Sequence, residues 1–462
     1  MIALDKFNNS ITKLSEVTLG KVKAIGRVST DTRAIQEGDL FVALTGENFD
    51  GNKYLKEAIE KGAKGCLFKY SDENEEIVKE LYTQFPEVFF IGTSCTEKYF
   101  QALASFHHSE WRLGTSSITI GITGSNGKTT TKELMAGVLE KVFPGKTLFT
   151  EGNLNNHLGV PMTLLRLNES HNICILEMGT NHPGEIPFLC NLGDPDAGII
   201  TSIGQSHLEF FYNEENVFKE KRSLYEYVKN KSGYFSIDSD NHFLKKMEDQ
   251  EKLLKVSFED GSIIYEGQKL NFLNHDVEIS CPFLLGKHNF KNLSVVLELL
   301  VNLFPTKKNE IFESAKSIKL PDNNRSQYIK IKDQIIFLDA YNANPSSMKA
   351  ALESFKNYLE DNRLDLKDSL FVLGDMNELG DKSTEYHQEL GAILKGMMVS
   401  NAIFVGRFAK DYATGFENES KIYGSTIELR NDWANISRSF SSVFLKGSRT
   451  LQLESLMTFL GT

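Results

Sequence analysis

The sequence predicts an α/β protein built from more than one unit, and three observations carry this. Its 462 residues exceed what one hydrophobic core holds, so two to four domains are expected. Short apolar runs with strand character alternate with stretches of helical period along most of the chain. At 118–139 a strand, a glycine-rich turn and a helical pattern follow one another directly, the arrangement from which parallel sheets are assembled.

In the first region, 40–44 (Leu-Phe-Val-Ala-Leu) reads as a strand, 52–61 as a helix, and 65–68 and 88–91 as strands. This is a small α/β unit. Its boundary is placed at Gly92, where an apolar strand ends in Gly-Thr-Ser, and a helix over 96–111 leads on. The middle region offers strands at 118–122, 173–178, 197–203 and 233–237 with helical patterns between them. Such alternation predicts a largely parallel sheet with helices on both faces. Residues 262–285 read as short strands with turn signals, and Gly286-Lys-His-Asn-Phe-Lys-Asn292 opens a helix to about 304. A further change comes at Pro321-Asp-Asn-Asn-Arg325. Beyond it, strand cores at 335–338, 370–373, 403–405 and 443–445 form another α/β unit of domain size.

Bulk properties exclude several classes. Hydrophobic residues at 40% and charged residues at 24% are ordinary for a globular chain. Lys+Arg at 51 against Asp+Glu at 62 gives a net charge of −11, which argues against a surface made for nucleic acid. The Met1-Ile-Ala-Leu-Asp-Lys-Phe7 start lacks a basic segment followed by an apolar core, so no signal peptide is expected. No run approaches the roughly 18 apolar residues of a membrane span. Cys66, Cys95, Cys174, Cys190 and Cys281 are scattered, odd in number and without zinc spacing. They read as free thiols of a reducing cytoplasm.

The stretch Gly121-Ile-Thr-Gly-Ser-Asn-Gly-Lys-Thr-Thr-Thr-Lys-Glu133 has the layout of a phosphate-binding loop. Gly124, Ser125, Asn126 and Gly127 let backbone N–H groups approach phosphates, and the helix N-terminus adds a positive dipole end. Lys128 would reach the β and γ phosphates, and a hydroxyl of Thr129 or Thr130 would hold Mg²⁺. The strict pattern wants glycine where Ile122 stands. An ordinary glycine turn with a surface lysine is the competing reading, but strand, loop, Gly-Lys-Thr and helix all agree with the phosphate mechanism.

Other candidates sit at predicted strand ends, where open parallel sheets bind ligands. Glu177 closes Ile173-Cys-Ile-Leu-Glu177 and is placed to offer Mg²⁺ an oxygen ligand. His207 follows the next strand, yet histidine is a minor ligand for Mg²⁺, and alone it reads as a hydrogen-bonded loop residue. Lys221, in Phe218-Lys-Glu-Lys-Arg222, looks by pattern like part of a solvated helix face. Asn153 and Asn156 lie in a glycine-opened loop that either contacts a substrate or caps a helix. Asn289 and Asn292 share one helix face, where amides read a base edge or cap the helix. In the last region Asp339-Ala-Tyr-Asn-Ala-Asn-Pro345, Gly374-Asp-Met-Asn-Glu378 and Lys446-Gly-Ser-Arg449 end three strands of one sheet. Turn chemistry would explain each alone; three together point to a site along one edge.

With these motifs assembled, the chain resembles the Mur ligases, ATP-dependent amide-bond ligases of peptidoglycan precursor synthesis. The carrying motifs are Thr123-Gly-Ser-Asn-Gly-Lys-Thr-Thr130, Asn153-Leu-Asn-Asn-His-Leu-Gly-Val-Pro161, Glu177-Met-Gly-Thr-Asn-His-Pro-Gly-Glu-Ile186, Gly286 to Asn292, Tyr341-Asn-Ala-Asn-Pro-Ser-Ser-Met348, Val372-Leu-Gly-Asp-Met376 and Lys446 to Arg449. They cover essentially the whole chain. This form of the phosphate loop, shared with folylpolyglutamate synthases, accounts for Ile122. The Tyr341-to-Pro345 run resembles the branch that joins D-alanyl-D-alanine to UDP-N-acetylmuramoyl-tripeptide. The Asp-Asn-Pro-Arg motif usual in the sister ligase for diaminopimelate or lysine is absent.

The resemblance implies three domains: a small α/β domain for the UDP-muramoyl substrate (1–92), a central phosphate-loop ATPase domain (93–318) and a C-terminal Rossmann-like α/β domain (319–462). In the first, Ser29-Thr-Asp-Thr-Arg33 and Gly46-Glu-Asn-Phe-Asp-Gly51 resemble uridine-binding loops. Thr32 there replaces a commoner serine beside Arg33. In the second, the family roles fall on Lys128 for phosphates, Thr129 or Thr130, Glu177 and His207 for Mg²⁺, and Asn289 and Asn292 near the adenine. Lys221 falls where Mur ligases carry a carbamylated lysine able to hold a second Mg²⁺. In the third, Arg325 and Asp339 would meet ATP, and Tyr341, Asn342, Asn344 and Lys446 the incoming dipeptide. Asn324 in place of a commoner glycine would alter the hinge, and Thr180 replaces a commoner alanine beside the metal site. The expected enzyme is a cytoplasmic monomer. A ligase for another amino acid or for folate, or a phosphate-loop regulator that hydrolyses ATP without ligation, are the rival readings. The Tyr341-to-Met348 motif and the first-domain loops speak against both.

Overall fold

Six parallel strands organise the middle of the computed structural model, which describes residues 1–10, 14–114, 116–321 and 325–459. Edge to edge they are Leu253–Val256, Phe235–Asp238, Ala197–Ile200, Ile118–Thr123, Ile173–Glu177 and Thr147–Phe149. Ile118–Thr123 lies between Ala197–Ile200 and Ile173–Glu177, so the chain leaves it in both directions. That reversal opens a crevice at the carboxyl ends of these three strands. The alternation of side chains builds two cores. Ile120, Ile122, Ile173, Ile175 and Ile199 pack under helices Lys128–Val142 and Lys287–Leu303. Cys174, Leu176, Ile200, Phe235 and Ile237 face the helices Thr96–Gly114, Glu185–Gly193 and Glu214–Asn230. The short strands expected at 262–285 form a three-stranded antiparallel sheet, Ile263–Glu266, Lys269–Phe272 and Val277–Ser280. Its Leu270, Phe272 and Ile279 extend the core beneath Lys287–Leu303.

The first region forms a five-stranded sheet ordered Val17–Leu19, Phe89–Thr93, Gly65–Lys69, Leu40–Val42, Val28–Ser29. One face is closed by Leu55–Glu60 and Asp72–Gln84. The other lies against Thr96–Gly114, whose Tyr99, Phe100 and Leu103 share a single apolar cluster with Leu40, Leu67 and Ile91 and with Leu164 and Leu189 of the central region. This helix therefore joins the cores of the first two regions.

The last region has its own sheet, ordered Gln327–Ile331, Gln334–Asp339, Ser442–Lys446, Ser369–Gly374, Ala402–Val405, Lys421–Tyr423, parallel except for its first pair. Helices Pro345–Asp361, Ser383–Gly396 and Ala409–Phe416 cover one face, Thr426–Ser437 the other. The three polar clusters expected to meet do so, because Gln334–Asp339, Ser442–Lys446 and Ser369–Gly374 are neighbours. Among the described residues no helix is long and apolar enough to cross a membrane. Asn324, singled out as a hinge position, lies outside the described residues.

Ser383–Gly396 and Ala409–Phe416 meet backbone to backbone at two glycines. A Cβ on Gly391 would stand 2.1 Å from the Tyr412 carbonyl oxygen, and one on Gly415 1.8 Å from that of Gln388. Gly391→Ala is expected to force the helices apart and lower stability by about 1–3 kcal/mol. The check is the urea midpoint, which should fall without a change of slope.

Candidate active site

The turn after Ile118–Thr123 is shaped by two glycines. Gly124 has φ +153, and a Cβ there would meet Thr201 Oγ1 at 1.9 Å. Gly127, at φ +83, caps the helix Lys128–Val142, and a Cβ there would meet Asn292 Oδ1 at 3.0 Å. Ile122 is a fully buried strand residue, paired beside Glu177 and Ile199. The turn thus begins later than the strict glycine pattern assumes, which is why isoleucine is tolerated. The following segment, 201–206, clamps the loop. Ser125 N donates to Ser202 O at 2.9 Å, Thr201 Oγ1 to Asn126 O at 2.5 Å and Ser125 Oγ to Gly204 O at 3.1 Å. With Asn126 O and the Ser125 N–H engaged by the clamp, helix-start N–H groups remain for an anion. Lys128 Nζ folds back to Gly124 O at 2.7 Å. Burial lowers its affinity for a proton, with Arg325 acting in the same direction.

Three polar groups from separate elements gather next to this loop. Glu177 is 1% exposed. Its Oε1 accepts from Thr129 Oγ1 at 3.1 Å and from Asn155 Nδ2 at 2.8 Å, while Oε2 is buried without a partner among the described residues. The hydroxyl turned to Glu177 is that of Thr129, not Thr130. Lys221 is not on a solvated face: its side chain is fully buried and Nζ has no hydrogen-bond partner among the described residues. Helix Glu214–Asn230 buries one stripe, and Lys221 falls within it between Val217 and Leu224, so the charged residues on either side misled. Burial, and then the charge of Lys128, push the Lys221 ammonium well below its ordinary range. His207, at φ 53, precedes the helix Leu208–Phe211, and its Nδ1–H donates to Glu378 Oε2 at 2.5 Å. Burial holds this imidazole below its usual value although Glu378 opposes the shift. The hydrogen bond from His207 keeps Glu378 ionised.

Does this arrangement suit Mg²⁺? Among the described residues no three His, Cys, Asp or Glu side chains converge as a ready metal cluster. Mg²⁺ is ordinarily held by one or two carboxylates with waters and phosphate oxygens completing its shell. A buried carboxylate oxygen without a partner, beside a hydroxyl and a phosphate loop, fits that demand. Burying such an oxygen unpaired is costly unless something fills the position.

The third region reaches this crevice. Asn344 caps helix Pro345–Asp361 and also donates through Nδ2 to Asn126 Oδ1 of the phosphate loop at 2.8 Å. Ser346 Oγ accepts from Gln205 N at 3.1 Å. Arg325 lies over the Tyr341 ring at 3.8 Å, a cation–π contact. Lys446, 1% exposed, donates from Nζ to Asp339 Oδ2 at 2.5 Å and to Asn342 O at 3.0 Å. Asp339 and Lys446 thus neutralise one another and fix the 339–344 turn.

The remaining candidates take quieter positions. Asn292 stands against Gly127, while Asn289 Nδ2 donates to Leu285 O at 2.7 Å at its helix start. Asn156 Oδ1 accepts from Leu158 N and Gly159 N, a cap for Gly159–Leu164. Asn153 has no part in the Glu177 contacts. In the first region Thr32 Oγ1 donates to Glu57 Oε1 at 2.9 Å, and exposed Arg33 pairs with Asp31. Thr180 Oγ1 donates to His182 O at 2.9 Å and closes its turn. Asn155 and Glu378 were not among the expected site residues. Both lie in motifs that drew attention, but an aperiodic loop does not reveal which of its side chains turns inward.

Family models match the chain in three parts: "Mur ligase family, catalytic domain" at 24–88, "Mur ligase middle domain" at 122–300 and "Mur ligase, glutamate ligase domain" at 324–449. The chain is 31% identical to the UDP-N-acetylmuramoyl-tripeptide–D-alanyl-D-alanine ligase of Haemophilus influenzae, covering 90% of this chain and 88% of that protein. Identity to the ligase of the same name from Bacillus subtilis is 30%, over 93% and 92%. MurF from Acinetobacter baumannii superposes with a TM-score of 0.78 at 26% identity, over 95% of this chain and 94% of that one. MurF from Thermotoga maritima, solved with ADP, shares the fold at a TM-score of 0.76 and 23% identity, over 94% and 97%.

The Asp339–Lys446 pair gives a stability test. Asp339→Ala strands a buried ammonium and is expected to lower unfolding free energy by about 3–5 kcal/mol. Chemical denaturation of both proteins measures the difference.

Proposed function

The chain belongs to the Mur ligase family, and on that premise we propose that it joins D-alanyl-D-alanine to UDP-N-acetylmuramoyl-tripeptide, with ATP hydrolysed to ADP and phosphate. One observation carries the reading: the Glu177 carboxylate and the Asn344 motif of the third region each bond to the phosphate loop, through Thr129 and Asn126. We assign 1–92 to UDP-muramoyl binding, 93–318 to ATP and 319–462 to the dipeptide. One copy carries every group named, so a monomer suffices. The five cysteines are free, four of them buried, which suits a reducing cytoplasm.

The reaction needs two transfers. A carboxylate oxygen of the tripeptide attacks the γ phosphorus, the bond to ADP breaks, and an acyl phosphate forms. The dipeptide nitrogen then attacks the acyl carbon, phosphate leaves with the bonding pair, and the nitrogen loses a proton. Lys128 and the N–H groups at the start of helix Lys128–Val142 offset charge on the transferring oxygens, and their positions are set before substrate arrives. Asn344, bonded to Asn126, brings the dipeptide-binding turn against the loop. Closure of the third region over the crevice excludes water that would hydrolyse the acyl phosphate.

Thr129, the unpartnered Oε2 of Glu177 and His207 would hold Mg²⁺, which supplies positive charge to the phosphate oxygens. Lys221 fits the carbamylated lysine of the family. A neutral amine is required for addition to CO₂, and the buried, unpartnered Nζ is held toward that form. Nitrogen attacks the CO₂ carbon, one proton leaves, and the product is an anionic oxygen donor.

Three measurements test the reading. With ATP, UDP-N-acetylmuramoyl-tripeptide and D-Ala-D-Ala, phosphate release should depend on the dipeptide and yield the pentapeptide; ATP hydrolysis indifferent to both substrates would favour the non-ligating regulator. Lys128→Ala should lower kcat by about 10²–10³-fold. Lys221→Ala should lose more than about tenfold in activity, partly restored by acetate, a carboxylate small enough for the vacated space. Full activity in Lys221→Ala would remove the residue from the site.

A further inference from the structure

Two residues in left-handed backbone conformation face each other across the boundary between the central and third regions. His207 has φ 53 and Glu378 has φ 64. Non-glycine residues adopt such angles at some cost, at helix ends and turns and also at functional sites. Here each fixes the other. His207 Nδ1–H donates to Glu378 Oε2 at 2.5 Å, and Glu209 N donates to Glu378 O at 3.1 Å. A Cβ on Gly380 would stand 3.3 Å from Glu209 Cα, so the two backbones nearly touch beside the bond.

The carboxylate is presented by an anchored loop. Met376 N donates to the fully buried His387 Nε2 at 3.0 Å, and Asn377 N to Ser448 Oγ at 3.0 Å. Both anchors belong to the third region. Among the described residues the His207 ring makes its hydrogen bond to the third region and none to the central region that carries it. Because a carboxylate only accepts, the proton sits on Nδ1, and Nε2 keeps its lone pair.

We propose that Glu378 is a positioning residue for the metal centre: from the third region it sets the tautomer and orientation of His207, so that Nε2 is offered to Mg²⁺ only while that region is docked. The inference rests on the assignment of His207 as a metal ligand under the proposed function. Metal-binding histidines commonly donate their second nitrogen to such a carboxylate, which raises ligand basicity and locks the ring. What is particular here is that the ligand and its orienting partner belong to different domains. Docking of the dipeptide-binding domain and completion of the metal shell then become one event.

A surface ion pair that merely assists docking would have a different signature. Mn²⁺, an EPR-visible stand-in for Mg²⁺, is titrated into the full-length protein with ADP present. His207→Ala, Glu378→Ala, Glu378→Gln and the double alanine variant are compared with the parent. Glu378→Ala is expected to weaken Mn²⁺ binding by about 10–100-fold. Glu378→Gln, similar in shape and still offering an acceptor oxygen, should show a smaller loss in the same direction and covers the case of an alanine variant that fails to fold. On the His207→Ala background, Glu378→Ala should change affinity by no more than about twofold. In turnover, the Mg²⁺ concentration for half-maximal rate should rise, with kcat largely regained at saturation. Parental affinity in both Glu378 variants, or losses that add in the double variant, would overturn the proposal while leaving His207 a ligand. Unchanged affinity in His207→Ala would remove the ligand assignment itself, and the proposal with it.

Discussion

Everything at this site depends on how closely the segment 201–206 approaches the phosphate loop. Thr201 Oγ1 occupies the space where a side chain on Gly124 would be, and donates to Asn126 O at 2.5 Å. Ser125 and Gly204 bond to each other in both directions. These contacts take up Asn126 O and, with Ser202, the Ser125 and Asn126 N–H groups, which leaves the dipole end of Lys128–Val142 and its first N–H groups for a ligand. A loop with its carbonyls turned out would repel the ligand that the sequence is built to receive. The same segment continues into Gln205 and His207, both bonded to the third region. One stretch of seven residues thus sets the phosphate loop and receives the docking domain.

The electrostatics of the crevice follow from burial more than from the number of charges. Burial lowers both Lys128 and Lys221, Lys128 adds to the effect on Lys221, and Glu177 stands beside Lys128 with an oxygen that has no partner among the described residues. Such a site is short of negative charge, which phosphate oxygens and a carboxylate substrate would supply. Asp339 and Lys446, by contrast, are already paired and bear on the chemistry by holding the 339–344 turn in shape. The difference separates groups that wait for a ligand from groups that build the wall around it.

Much of the fold could be read from the chain because its inner strands are apolar on both faces. Ile173–Glu177 and Ser442–Lys446 are buried at every position, and covered strands of parallel sheets read as unbroken apolar runs. The edge strands were not legible for the opposite reason: Lys421–Tyr423 is three residues long and mostly exposed, and Thr147–Phe149 is no longer. The phosphate loop was legible because only glycine satisfies its angles and contacts. Lys221 was not, since a lysine between Glu220 and Arg222 has the pattern of a wet face, and only the packing of Glu214–Asn230 shows it dry. Glu378 could not be found from spacing at all. Its partner is 171 residues away, and no periodic signal links a turn in one domain to a turn in another.

The contacts between the central and third regions share a character that bears on how the enzyme works. Asn344 on Asn126, Ser346 on Gln205 N and Glu378 on His207 are polar bonds at the rim of a crevice. The two apolar clusters of the third region contain almost no central-region residue, whereas one cluster runs continuously from the first region into the central one. Polar interfaces of this kind release and re-form readily, while a shared apolar core does not. The first two regions therefore hold together as a platform and the third is the part able to move. These bonds end on the phosphate loop or on residues 205–209, in and just after the segment that clamps it. Departure of the third region would leave the phosphate loop intact but unpartnered, with His207 unoriented. Such a molecule binds nucleotide before it is competent to use it, which is the order an acyl-phosphate ligase needs to keep water from the reaction.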